Sequence, residues 1–348
     1  MREIYPPHYA AFHCIAGACP DSCCKEWEIV VDAESVEKYQ MVSGELGNRL
    51  RQAMITDADG DVIFQEREKR CPFWNAQQLC DIHGGLGEAA LCETCRQFPR
   101  VTQDYGDFIE YDISPACPEA ARLLMELTPE QWLLSENDCP EVTGSFPEYD
   151  GKIMQQRKDQ RRILFACLQD TSVPALKQIS HCLELVTQWT DFSEGTSDAI
   201  CTEDDILSFL NGCEVLTEDW KMILTRAREN PEVSLFYDAA LDKEIRLFGM
   251  DMLYRYYLRT AYSDDPFAIL LPVQLAAFAV CTVLTLTAHI KIQDEEQRLR
   301  IWQLFVKEIE YDGDNLEELE WQLETNAAFS PAALCAYFES CLLYTSPS

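Results

Sequence analysis

Four thiols stand within eleven residues near the start of the chain: Cys14, Cys19, Cys23 and Cys24, spaced C-x4-C-x3-C-C. Cys71, Cys80, the Cys92-x2-Cys95 pair and Cys117 follow, so nine of the seventeen cysteines fall in about the first third of the sequence. Thiolates are strong ligands for zinc and for iron–sulfur clusters, and two to four residues between ligands let a tight turn aim both sulfurs at one centre. Adjacent Cys23 and Cys24 point different ways in any regular backbone, so the second serves another centre or is a buried thiol. Spacing therefore predicts a metal–thiolate site and leaves its metal open. A disulfide framework is the weaker reading: the chain is long, the cysteine count is odd, and Met1–Gly17 has no basic segment followed by an apolar run.

Other chemistry-bearing patterns are weaker. Asp57-Ala58-Asp59-Gly60-Asp61 places its glycine too early for a calcium loop and is read as a hairpin turn. Ile82–Gly87 has the wrong glycine spacing for a phosphate loop and is read as a flexible approach to the helix presenting Cys92 and Cys95. Tyr254-Arg255-Tyr256-Tyr257-x-Arg259 is read as core packing with its arginines pointing outward. The remaining cysteines (139, 167, 182, 201, 213, 281, 335 and 341) are single and are read as small buried hydrophobes.

The elements that must position the thiols are short. Trp27–Val31 reads as a strand, Glu34–Arg51 as a helix, and 100–103 with 107–113 as a hairpin around Tyr105-Gly106; Pro118 starts a helix. Residues 137–151, rich in Pro, Gly and Asp, mark a boundary. Beyond them, amphipathic segments at 152–170, 174–191, 203–212, 217–229, 240–260, 266–290, 294–310, 315–325 and 331–343 predict a helical domain. The expected fold is α+β, mostly α: a small cysteine-rich metal-binding lobe with short strands over 1–136, then an α-helical domain over 137–348. The tail Leu342–Ser348 shows no helical pattern and is read as a truncation or an assembly artefact.

A net charge of −32 repels phosphate backbones and argues against nucleic acid as a partner; such a surface would draw in a lysine-bearing one, but solubility alone is the stronger reading of the charge. The apolar run Ile269–Leu286 contains Pro272 and Gln274 and has acidic flanks, so a buried core helix is expected rather than a membrane span.

The ordered blocks Phe12-x-Cys14-x4-Cys19-x3-Cys23-Cys24-x2-Trp27-x-Ile29, Cys71-Pro72-Phe73, Leu79-Cys80-x-Ile82, Leu86-Gly87-x3-Leu91-Cys92-x2-Cys95-x2-Phe98-Pro99-Arg100 and Cys117-Pro118-Glu119-Ala120-Ala121-Arg122-Leu123 resemble the flagellin lysine-N-methylase family. The front part is also similar to a wider group of cysteine-rich zinc- or iron-chelating domains. The resemblance covers about residues 9–125, with Asn315–Leu319 as a fainter second signature. It implies a cytoplasmic S-adenosylmethionine-dependent methyltransferase that acts on flagellin lysines and carries a cysteine-bound [4Fe-4S] cluster, with zinc as the alternative metal. The residues alone show neither a Rossmann-type glycine motif nor the C-x3-C-x2-C spacing of radical S-adenosylmethionine enzymes. Glu26, Trp27, Glu119 and Arg122 lie beside the cysteines and are the candidates for lining a catalytic site; ion pairing and packing within the lobe are the competing roles. A non-catalytic zinc- or iron-binding protein and a redox carrier are the alternatives to the methylase.

Overall fold

The computed structural model describes residues 2–138, 150–190, 199–230, 233, 235 and 237–345. In chain order the front contains β1 (Arg2–Tyr5), α1 (Ala33–Met41), α2 (Gly44–Ala53), β2 (Met54–Thr56), β3 (Val62–Phe64), α3 (Asp81–Leu86), α4 (Glu93–Gln97), β4 (Arg100–Asp104), β5 (Phe108–Ile113), α5 (Pro118–Met125) and β6 (Ser135–Asp138). Helices follow: α6 (Gly151–Gln169), α7 (Ala175–Thr190), α8 (Glu203–Gly212), α9 (Glu218–Glu229), α10 (Ala239–Tyr256), α11 (Pro266–Ile290) and α12 (Glu295–Phe305). The last runs into a π-helical turn, Val306–Glu310, before α13 (Gly313–Thr325) and α14 (Pro331–Thr345). The fold is α+β and mostly α, as the sequence pattern predicts.

Capping chemistry sets many of these helices. Thr202, Thr217, Asp238, Asp265, Asp294 and Asp312 each accept a first-turn backbone N–H, which satisfies donors that a helix start leaves unpaired. Helix α11 is long and apolar enough to cross a membrane, but 83% of its most apolar window is buried inside the protein. It is the central core helix, packed on α7, α9 and α10.

Two cores result. The large one joins the helices to Ile4, Phe108, Leu124 and Trp132, so the four-stranded sheet β4-β5-β1-β6 packs on the helical part. The second gathers Ile29, Val31, Tyr39, Leu50, Phe64 and Phe73 around Cys71 and Cys92. Here β2 and β3 form the expected hairpin across the Asp57–Asp61 turn.

Several local expectations are corrected. Trp27–Val31 forms no strand; Val30 makes a single bridge to Ile63. The helix expected over 34–51 breaks into α1 and α2, because the chain folds back at Gly44 (φ +79°) and brings Gly47 against the Val42 carbonyl; a Cβ there would sit 1.9 Å from that oxygen. The segment Ile82–Gly87, expected to be flexible, is helical as far as Leu86 in α3, and Gly85 faces Leu46 so closely that a Cβ would lie 2.9 Å from it. Arg255 points inward, not outward: it is buried and paired with Asp251 at 2.8 Å and with Glu310. Helix α14 continues through Leu342 to Thr345. Residues 139–149, which hold Cys139 and most of the expected boundary, lie outside the described residues.

Candidate functional site

Backbone pairing sets the front thiols in place. The Cys71 N–H donates to the Cys24 carbonyl at 2.8 Å and Glu26 N–H to Lys69 O at 2.8 Å, laying Cys24 beside Cys71. Cys80 bridges Trp74. Cys92 caps α4, and Cys95 sits on its first turn. Cys24, Cys71, Cys80, Cys92 and Cys95 thus lie in or against the second core. Cys117 caps α5 and packs with Phe12, Ile113 and Ala120 in a third small cluster. Cys14 opens the loop carrying Cys19 and Cys23, its sulfur accepting the Ala16 N–H at 3.4 Å.

All nine are free thiols. They interact electrostatically in two neighbourhoods, Cys14–Cys19–Cys23–Cys117 and Cys24–Cys71–Cys80–Cys92–Cys95, linked through Cys23, which interacts with both Cys24 and Cys80. Burial pushes Cys71 and Cys117 up to about 12. A hydrogen bond from Cys95 holds Cys92 below the usual thiol range. The raised thiols, Cys71 and Cys117, stay neutral unless a cation compensates the thiolate charge. The soft-donor chemistry of the nine thiols fits zinc or an iron–sulfur cluster, but among the described residues no three His, Cys, Asp or Glu side chains stand arranged to hold one metal ion.

Against this thiol region lies a groove of about 730 Å³. Ile15 and Pro20 of the cysteine loop line it together with Pro118, Glu119, Arg122 and Met125 of α5; Lys243 and Glu244 of α10, the acidic start of α12 at 294–296, and Arg300 and Gln303 complete it. Glu119 accepts from Arg122 Nε at 2.8 Å and Nη2 at 2.7 Å, and Arg122 also pairs with Glu126. The Arg122 bond holds Glu119 below the usual carboxylate range. Glu244 accepts three bonds from Arg298 between 2.8 and 3.2 Å; burial outweighs that guanidinium and raises its carboxyl.

Glu26 and Trp27 lie elsewhere, against the π-helical turn. Lys307, 1% exposed, donates to Glu26 at 3.0 Å and to Asp21 at 3.2 Å, with its Nζ 5.1 Å from the Trp27 ring centroid. Trp27 stacks on Tyr311 at 5.3 Å and meets Phe98 edge-on at 4.8 Å. Asp21 also accepts from Arg300 at 2.9 Å. Burial alone would raise Asp21, but Lys307 and Arg300 reverse that and hold it well below the usual range. The four candidates thus split: Glu119 and Arg122 line the groove, and Glu26 and Trp27 clamp the cysteine loop to the helices. Sequence reasoning missed Lys243, Glu244, Arg300 and Lys307. The one local sign was the acidic run 294–296, taken only as a flank of the apolar helix.

A thiol-rich front joined to a helical domain, with a charged groove at the joint, defines a cysteine-rich α+β protein with a candidate ligand site. The chain is 30% identical over 145 residues to the flagellar biosynthetic protein FliU of Salmonella muenchen, a match covering 39% of this chain and 85% of that protein. It is also 30% identical over 152 residues to the lysine-N-methylases of Salmonella typhimurium and Salmonella choleraesuis, covering 41% of this chain but 38% of each relative's length. No family model matches the chain, and no solved structure matches it. The chain belongs to the flagellin lysine-N-methylase family.

Proposed function

We propose that this protein transfers methyl groups from S-adenosylmethionine to lysine side chains of flagellin, in the cytoplasm before flagellin is exported. The carrying observation is the groove, which sets carboxylates and a guanidinium beside the cysteine loop in a chain related to lysine-N-methylases. S-adenosylmethionine supplies an electrophilic methyl on a positively charged sulfonium. Acidic groove residues favour both that cation and a lysine ammonium. Glu119, kept ionised by Arg122, orients the amine, whose usual pKa of about 10.4 requires proton loss before attack. Ile15, Pro20 and Met125 give the groove its apolar wall. The front cysteines would hold a [4Fe-4S] cluster or zinc, chemistry their thiols suit.

A second reading, a zinc- or iron-binding protein without catalysis, is favoured by the five thiols at the second core, where a metal would serve as a staple. The test is methyl transfer from labelled S-adenosylmethionine to flagellin by anaerobically purified, metal-replete protein. Label on lysine is expected, falling about a hundredfold in Glu119→Gln and Arg122→Met as positioning is lost. Absence of a calorimetric response to S-adenosylmethionine would leave the metal-binding reading.

A further inference from the structure

Arg300, Gln303 and Lys307 stand three and four residues apart, on one face of α12 and of the π-helical turn that continues it. That face meets a single carboxylate. Asp21, whose side chain is 2% exposed, accepts from Arg300 Nη1 at 2.9 Å, Lys307 Nζ at 3.2 Å and Gln303 Nε2 at 3.4 Å. Lys25 of its own loop adds a third cation at 3.1 Å. Arg300 reaches on to Asp219 of α9 at 2.6 Å, and Gln303 donates to the Ala116 carbonyl at 2.7 Å, just ahead of α5. One acidic residue of the cysteine loop is thus fastened to α12 and, through it, to α9 and the start of α5.

The same residues border the groove. Arg300 and Gln303 line it from α12, Pro118 and Glu119 from α5, and Ile15 and Pro20 from the loop. Asp21 follows Pro20 directly but does not itself line the groove. Its carboxylate sits where the loop wall and the α12 wall are joined. Two loop residues that are not glycine, Ala16 (φ +49°) and Glu26 (φ +70°), lie in the left-handed region. Such conformations persist only where surrounding contacts hold them, and Lys307 holds the Glu26 carboxylate at 3.0 Å.

We infer that Asp21 is a positioning residue for the groove: by fastening the cysteine loop to α12 it sets the spacing of the two walls and, with it, the affinity for S-adenosylmethionine. The affinity rests on the donor site proposed above; the fastening of the walls does not. An amide in place of the carboxylate keeps the shape but leaves Arg300 and Lys307 facing a neutral acceptor in a buried place, which releases the loop. Arg300 keeps Asp219 and Lys307 keeps Glu26, so the damage is confined to the loop.

Hydrogen exchange and calorimetry would compare wild type, Asp21→Asn, Asp21→Glu and Lys307→Met, purified anaerobically and matched for metal content. In Asp21→Asn, amides of residues 15–24 should exchange about tenfold faster while those of α10 and α11 keep wild-type rates. S-adenosylmethionine should bind that variant about tenfold more weakly. Asp21→Glu keeps the charge and should recover most of both losses, which a role in filling space would not. Lys307→Met cuts the tether from the helix side, away from the cysteines, and should loosen the same amides; combined with Asp21→Asn it should add little. Unchanged loop exchange in Asp21→Asn would overturn the inference, as would a released loop with unchanged affinity. Wild-type protein that gives no heat with S-adenosylmethionine would sink the donor site instead, and loop exchange alone would then decide whether Asp21 fastens the walls.

Discussion

The second core, built from residues 29–92, and the helical core beyond it bury chain with different materials. The first rests on strands of three residues and on helices of five to ten. Its buried soft groups are cysteines, and its ion pair Arg49–Asp81 stays partly exposed, with side-chain accessibilities of 42% and 26%. The helical core closes around α11 and buries whole charge pairs, Arg298–Glu244 at 0% and 5% and Arg161–Glu110 at 7% and 4%. A lobe with so little apolar interior is the one that gains most from a cross-linking metal, whereas a helical core of this size stands on its own packing.

Metal removal is the strongest way to break that contrast. If the front thiols hold the proposed metal, chelation under reducing conditions should melt residues 29–97 while α6 to α14 keep their helical signal, since a structural metal contributes on the order of 10 kcal/mol to the lobe that binds it. Hydrogen exchange by mass spectrometry would locate the loss. Retained protection in the front after complete demetallation would mean that the second core holds itself.

The next effect belongs to the helices. Arg298→Met leaves Glu244 buried without its partner, although Trp302 still donates to it at 3.3 Å. Urea unfolding should show a loss of about 3–5 kcal/mol, and adding Glu244→Leu should restore most of it, because a paired charge is replaced by packing. A loss below about 1 kcal/mol would show that water reaches this pair.

These charge pairs also explain what was legible in the sequence. Helix positions could be read because apolar periodicity and caps such as Thr217 and the Asp265-Pro266 pair are local signals. Partners distant in the chain left no such mark. Arg255 looked like an outward arginine because Glu310, 55 residues on, cannot be paired with it from spacing. Strand β1 was invisible for the same reason: Arg2–Ile4 pair with Phe108–Glu110 across the chain, and four residues carry no pattern of their own. The thiols were legible as ligands, but the groove was not, because it is assembled from the cysteine loop, α5, α10 and α12.

A smaller and opposite effect is expected at the joint between sheet and helices. Asp112 is 5% exposed, and neither carboxylate oxygen has a hydrogen-bond partner among the described residues. Burial lifts it to about 6 despite Arg255 nearby. A carboxyl with a raised folded pKa binds its proton more tightly folded than unfolded, so its cost grows as pH rises from about 4 to about 6 and is constant above. Asp112→Asn should therefore nearly match the wild type near pH 4 and exceed it by about 3 kcal/mol at pH 7. Urea midpoints across that range would check it. A variant that is less stable at pH 7 would show that the charged Asp112–Arg255 pair is net favourable.

The smallest effect should come from the ion pair that crosses the sheet edge. Arg2 donates to Glu136 at 3.0 Å, but the two side chains are 55% and 52% exposed. Solvent screens such a pair, and fixing two long side chains offsets what remains, so Arg2→Ala should change stability by no more than about 0.5 kcal/mol. What holds β1 lies on its inner side. Ile4 is 6% exposed in the large core, and its carbonyl accepts from the Tyr254 hydroxyl at 3.2 Å. Ile4→Ala should cost about 2–4 kcal/mol by leaving a cavity between sheet and helices. If Arg2→Ala proved the costlier of the two, surface charge rather than burial would be tying the first strand down, and the sheet would resemble the front core in depending on links rather than packing.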